Sequence, residues 1–271
     1  MNNTLSIVSV CNEYAEYLNL NREISTKSLD IPWTWTVAFY EEPRIGSRKL
    51  HKSFEKRPFI QTKGVKVDGV APNSTEHGEN LNKLVRYVRE KHNPRFLLAL
   101  DPDFFIFGNL QKIINLMIEY KISVFGAPYA ESSTPLFRNV PVGFCMLFDR
   151  EKFDEIDFST GYGTYPNPDL YPDIGYEMYN KIKQRDNYGM VLPIVRNDCN
   201  FLHMTKGLKE LGFVYDNEPN EVGTKIDEYF HFDHDFWGIH TRGKFNQNRN
   251  KNRERIEKQL KVVRDLQKFL Q

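Results

Sequence analysis

The stretch Phe96–Phe105, FLLALDPDFF, sets five consecutive apolar residues directly before two aspartates separated by a proline. A run this short and this apolar reads as a strand covered on both faces, the centre of an α/β sheet. It ends on Asp101-Pro102-Asp103. Alternate residues of an extended chain point the same way and proline stiffens the link, so the two carboxylates are expected to converge. Two converging carboxylates suit one hard cation, Mg²⁺ or Mn²⁺, held through oxygen. Asp-Pro-Asp is also ordinary turn chemistry; its place after a buried strand is what raises the metal reading above that one.

Working outward, Leu5–Val10 (LSIVSV) reads as a buried strand closing on Cys11-Asn12-Glu13, and Thr34–Tyr40 as a second closing on Glu41-Glu42. Between them Tyr14–Ile24 has helical spacing. Residues 44–77 read as irregular, with one short strand at Thr62–Val67. A helix is expected from about Gly78 to Lys91, its apolar face made by Leu81, Leu84, Val85 and Val88. Beyond the central strand the pattern predicts a helix over Leu110–Tyr120, strands over Ser123–Ala127 and Val142–Asp149, and a helix over Asp173–Lys183. Short strands follow at Val191–Ile194, Phe213–Tyr215 and Phe236–Ile239. The tail from Asn248 carries Ile256, Leu260, Val263, Leu266 and Leu270 on one helical face. Strand–helix alternation of this kind implies a three-layer α/β/α sandwich around a Rossmann-like mixed sheet. Residues 1–247 are read as one domain and 248–271 as a C-terminal amphipathic helix packed on the body or on a partner.

Composition narrows the function classes. At 271 residues, 40% hydrophobic and 27% charged, the chain is an ordinary globular one. The net charge of +1 divides unevenly: from Arg242 onward ten basic residues face three acidic ones, and the remainder holds 27 basic against 33 acidic. The body is therefore not a nucleic-acid-binding surface. Three widely spaced cysteines suggest neither a disulfide framework nor a zinc site. The N-terminus, MNNTLSIVSV, has no basic segment leading into a long apolar run, which predicts a cytoplasmic protein.

The second informative stretch is Trp237–Gly243, WGIHTRG. A histidine at a strand end offers a third metal ligand in His240, and Arg242 a cation for phosphate oxygens. His231, His234, Asp233 and Asp235 are competing ligands, ranked lower because the pattern places them in a loop before that strand.

Taken in order, these pieces resemble the large family of inverting nucleotide-sugar glycosyltransferases with the GT-A fold (family 2-like), over most of residues 4–243. LSIVSV resembles the opening strand with its nucleotide-contacting turn, FLLALDPDFF the DxD strand, and VGFCMLFDREKF the strand along the sugar and acceptor pocket. DIGYEMY stands where an acid opens a helix, and WGIHTRG closes the site. The resemblance implies a GT-A-like sandwich and transfer of a hexosyl or deoxyhexosyl unit from a UDP-, GDP- or dTDP-linked donor to a glycan or other hydroxyl acceptor, with inversion. It implies that Asp103 and His240 bind Mn²⁺ or Mg²⁺, with Asp101 on the metal or the ribose. Val10, Asn12, Glu41 and His77 would meet the nucleoside, and Arg242 a phosphate. Asp173 would serve as the catalytic base, with Glu177 in reserve.

Two other classes stay open on the residues alone. A metal-dependent nucleotidyltransferase or pyrophosphohydrolase also uses paired aspartates, although Cys11-Asn12-Glu13 lacks the glycine and lysine of a triphosphate loop. An inactive nucleotide- or carbohydrate-binding relative would keep the same residues. The aromatic stretch Tyr162–Tyr171 is expected to form an acceptor lid. The basic tail helix is read as packing on the body, with peripheral membrane contact as the alternative. Oligomeric state is not legible.

Overall fold

The structure is a computed structural model and describes residues 1–11, 15–39, 50–59, 72–128, 140–141, 143–160, 174–193, 228–233, 235–241 and 249–270. Its body is a seven-stranded mixed sheet in the order β3-β2-β1-β4-β7-β6-β8. These strands are β1 (Asn2–Cys11), β2 (Trp33–Phe39), β3 (Phe54–Pro58), β4 (Pro94–Leu100), β6 (Val124–Gly126), β7 (Cys145–Asp149) and β8 (Tyr188–Met190). β7 alone runs antiparallel to both its neighbours, β4 and β6. β4 is the strand read from FLLAL, and Phe96, Leu97, Leu98, Ala99 and Leu100 are all buried between β1 and β7.

Helix α1 (Ala15–Ser25) carries the chain from β1 outward to β2, and α2 (Pro72–Lys91) carries it back past β1 to β4. Right-handed crossovers in opposite directions place these helices on opposite faces of the sheet, which gives the three layers. Leu81, Leu84, Val85 and Val88 fill the α2 side of the main core. The reversal of direction between β1 and β4 is a topological switch point, and ligands of open α/β sheets sit at the carboxyl ends of the strands there. Asp101 is the first residue past that end of β4.

A second, four-stranded sheet is ordered β5-β11-β10-β9, from β5 (Phe104–Ile106), β9 (Leu192–Pro193), β10 (Glu228–Phe232) and β11 (Asp235–His240). It sets His240 directly opposite Phe104. Helices α3 (Leu110–Glu119) and α4 (Tyr176–Arg185) also belong to the body, with Asn109 capping α3 by accepting from the Lys112 N–H at 2.8 Å. The tail helix α5 (Arg249–Phe269) buries Ile256, Leu260, Val263 and Leu266 against Tyr17, Leu20 and Ile24 of α1 and Phe105, Phe236 and Ile239 of the second sheet. Leu270, expected on that stripe, is 38% exposed. Among the described residues no helix is long and apolar enough to cross a membrane.

Several boundaries differ from the sequence reading. β3 falls inside the stretch read as irregular, because FEKRP is an edge strand with alternate residues in solvent and carries little of the apolar signal. The strand expected at Thr62–Val67 and the one at Phe213–Tyr215 lie outside the described residues. α2 starts at Pro72, six residues before Gly78, with proline in the first helical position where its missing N–H costs nothing. Gly78 instead lies inside α2, where a Cβ would collide with the Phe158 carbonyl oxygen, so only glycine permits that close approach. The strand expected from Val142 starts at Cys145, and Val191 separates two short strands rather than opening one. α4 begins at Tyr176 behind Gly175, whose φ of +75° suits glycine.

Candidate metal centre at the carboxyl end of β4

Asp101-Pro102-Asp103 is a turn, not an extension of β4. The Phe104 N–H donates to the Asp101 carbonyl at 3.1 Å, closing a four-residue β-turn with Pro102 in its second position. Asp103 has no positive φ, which fits a type I turn. The convergence expected from strand alternation is therefore reached by chain reversal. One oxygen from each of Asp101 and Asp103 and one nitrogen of His240 lie within 4.8 Å of one another.

Each side of the turn is held by the backbone. The Asp101 N–H donates to the Phe144 carbonyl at 2.8 Å, ahead of β7. The Thr241 N–H and hydroxyl both donate to the Asp103 carbonyl, at 3.0 and 3.2 Å. Underneath, Asn21 of α1 is fully buried, and its Nδ2 donates to the carbonyls of Asp101 (3.3 Å), Pro102 (3.1 Å) and Phe104 (2.7 Å). Its Oδ1 accepts from the Ser25 hydroxyl, which accepts in turn from the Ile106 N–H at 2.9 Å. Two small polar side chains one turn apart on α1 thus replace the backbone partners that the turn and β5 lack on that side.

Asn21→Ala should lower stability by about 2 kcal/mol, since it strips partners from buried carbonyls. At this chain length that is a fall of about 4–8 °C in the melting temperature. An unchanged melting curve would remove the role given to Asn21.

His240 is 6% exposed and stacks on Phe144, with ring centroids 4.5 Å apart and planes at 25°. Phe104 lies against both rings. The aromatic floor fixes the imidazole plane and leaves Nε2 3.5 Å from Asp103 Oδ1. On the other side, His77 Nε2 is 3.5 Å from Asp101 Oδ1. That nitrogen is buried and without a hydrogen-bond partner among the described residues, so a bound polar group or ion would satisfy it. Cys145 lies beneath: burial pushes its thiol well up, and the nearby Asp101 charge adds to this. Among the described residues, the groups placed to hold a metal ion here are two carboxylates and an imidazole.

That donor set fits a six-coordinate hard or borderline cation. With metal–ligand bonds of about 2.1 Å, neighbouring donors stand about 3 Å apart and opposite ones about 4.2 Å. The spread of 4.8 Å is slightly wider than this range.

The other residues singled out from the sequence divide into three groups. Val10 lies at the end of β1 with its side chain in the core, 4% exposed, which leaves only its backbone for a ligand. Asn12, Glu41, Asp173, Arg242, His234 and the stretch Tyr162–Tyr171 lie outside the described residues. Glu177 is exposed on the first turn of α4. His231 is not in a loop: it pairs with Leu192 and Phe236 as part of β10 and is 9% exposed. Asp233 is exposed and pairs with Lys112 at 3.1 Å.

No protein-family model and no curated protein sequence matches the chain. Among solved structures, an active-site mutant of LgtC is 11% identical over 68% of this chain and 72% of its own, with a TM-score of 0.43. The glycosyltransferase GlyE of Streptococcus pneumoniae TIGR4 is 11% identical over 99% of this chain and 64% of its own, at 0.42. Mouse xyloside xylosyltransferase 1 is 9% identical over 73% and 86%, at 0.38.

Proposed function

We propose that the chain is a metal-dependent glycosyltransferase that takes a sugar from a UDP-, GDP- or dTDP-linked donor to a glycan or other hydroxyl acceptor. One observation carries the reading: Asp101, Asp103 and His240 meet at the carboxyl end of the central strand, beside the β1/β4 switch point. Transfer from a nucleotide sugar expels a nucleoside diphosphate, and a divalent ion at this point supplies the positive charge that stabilises such a leaving group. Asp101, Asp103 and His240 would hold the ion, and His77 would donate to or coordinate whatever lies over Asp101. The aromatic floor keeps water from beneath the imidazole.

The test is a thermal-shift screen of UDP-, GDP-, dTDP- and CMP-sugars with Mn²⁺ and with chelator. A donor at 100 times its Kd stabilises by about 2.7 kcal/mol, or about 5–10 °C for a chain of this size. The expected result is such a rise for one nucleotide family, absent in chelator. A rise with nucleoside triphosphates but no nucleotide sugar would move the assignment to nucleotidyl transfer, and no rise at all to a non-catalytic module. Inversion, implied by the family resemblance, is read from the product: an anomer matching the donor's would remove it.

A further inference from the structure

The tail helix α5 carries one fully engaged polar group within its apolar stripe. Gln259 is 2% exposed and lies among Ile256, Leu260, Val263 and Leu266. Its Oε1 accepts from the Tyr17 hydroxyl of α1, and its Nε2 donates to the Thr241 carbonyl at 2.9 Å. Thr241 is fully buried, follows His240 directly, and donates twice to the Asp103 carbonyl. A continuous path of hydrogen bonds therefore runs from α1 through α5 and Thr241 to the Asp-Pro-Asp turn. Asn21, one turn beyond Tyr17, holds the same turn from beneath.

We infer that Gln259 is a positioning residue for the metal centre, and that its hydrogen bonds, rather than the apolar packing of the C-terminal helix, set the spacing between His240 and Asp103. The inference rests on the metal reading above. An aliphatic residue at 259 would suit its apolar neighbours, whereas a buried amide is tolerated only when its partners are in place. Both partners here belong to segments that shape the centre: Thr241 joins the strand end bearing His240 to the turn bearing Asp103, and Tyr17 shares α1 with Asn21. Loss of the Gln259 bond frees the Thr241 carbonyl, and with it the segment that sets the distance of 3.5 Å between His240 and Asp103. Groups that orient metal ligands from behind typically change ion affinity about ten- to a hundredfold when removed.

Mn²⁺ affinity of the full chain, measured by direct titration well below the melting temperature, tests this with three variants. Gln259→Met keeps the length and apolar bulk and removes both hydrogen bonds; it should weaken Mn²⁺ binding by about tenfold or more. Tyr17→Phe keeps the ring and releases one end of Gln259, and should weaken binding less, in the same direction. Leu266→Ala destabilises the same helix through lost packing alone, and should leave the affinity within about twofold despite a lower melting temperature. Wild-type affinity in both Gln259→Met and Tyr17→Phe would overturn the inference, as would an equal loss in Leu266→Ala. Wild-type protein that takes up no Mn²⁺ would overturn the metal reading itself, a failure visible before any variant is compared.

Discussion

Asp103→Asn should abolish Mn²⁺-dependent activity while leaving the metal-free protein as stable as wild type or more so. The two effects have one cause. Asp101 and Asp103 have side chains only 26% and 22% exposed, and they place like charges in one small space. Like charges so close repel one another, and a cation between them reduces that repulsion. Asparagine keeps the volume and a carbonyl oxygen but removes one of the charges, so the metal-free state is relieved and the bound state is weakened. Loss of one of the proposed ligands should reduce Mn²⁺ affinity by about a hundredfold or more. On the proposed function, loss of the bound ion's positive charge beside the leaving group should cost several kcal/mol of transition-state stabilisation, about a thousandfold or more in kcat/KM. The check pairs melting curves without metal against the Mn²⁺-induced rise in melting temperature. A variant that keeps the full rise would place the ion elsewhere. A variant that loses it together with several degrees of metal-free stability would make Asp103 a structural residue of the turn.

The sequence made the central strand and its end readable because burial on both faces leaves a contiguous apolar run, and five residues of it cannot build a helix. His240 was readable for a related reason: WGIH closes a strand, and strand ends are where α/β folds expose chemistry. The way the turn brings the aspartates together was not readable. Alternation along a strand and reversal in a type I turn predict the same residues and different geometry, and Pro102 suits both. The supporting residues left a fainter mark. Asn21 lies four residues after Tyr17 and three before Ile24, and Gln259 three after Ile256 and four before Val263, so each is a polar residue on a buried helical stripe. Such an interruption signals a satisfied internal bond, but its partners here are carbonyls from distant segments that no local pattern reveals. His231 misled in the opposite sense: HFDHD has turn composition, yet β10 is held by pairing with β9 and β11 rather than by its own apolar pattern.

The largest expected effect on stability comes from the opposite end of the central strand. Asp149 closes β7 opposite Phe96, four residues and about 13 Å along β4 from Leu100 and the turn beyond it. It is fully buried and clasped by Arg95, through Nε at 3.1 Å and Nη2 at 3.0 Å, and by Lys152 Nζ at 2.6 Å. Burial alone would raise its carboxyl pKa, but the hydrogen bonds and charges of Arg95 and Lys152 outweigh it and hold the group below its ordinary value of 3.8. A carboxyl depressed in the folded state stabilises the fold above its unfolded pKa, and that stability is lost as pH falls through the folded value. Asp149→Ala should cost about 3–5 kcal/mol, because it leaves the mostly buried Arg95 guanidinium without its main partner. Asp149→Asn should cost less, since it retains acceptors and shape. Both variants should flatten the acid limb of stability against pH below about 3.8, where wild type loses this contribution. Below their own melting temperatures both should bind Mn²⁺ as wild type does, because the lost ion pair is far from Asp103. Chemical denaturation of wild type and variants at neutral and acid pH measures the difference. A cost under about 1 kcal/mol for Asp149→Ala would mean that Glu151, which already touches Arg95 at 3.2 Å, takes over the pairing.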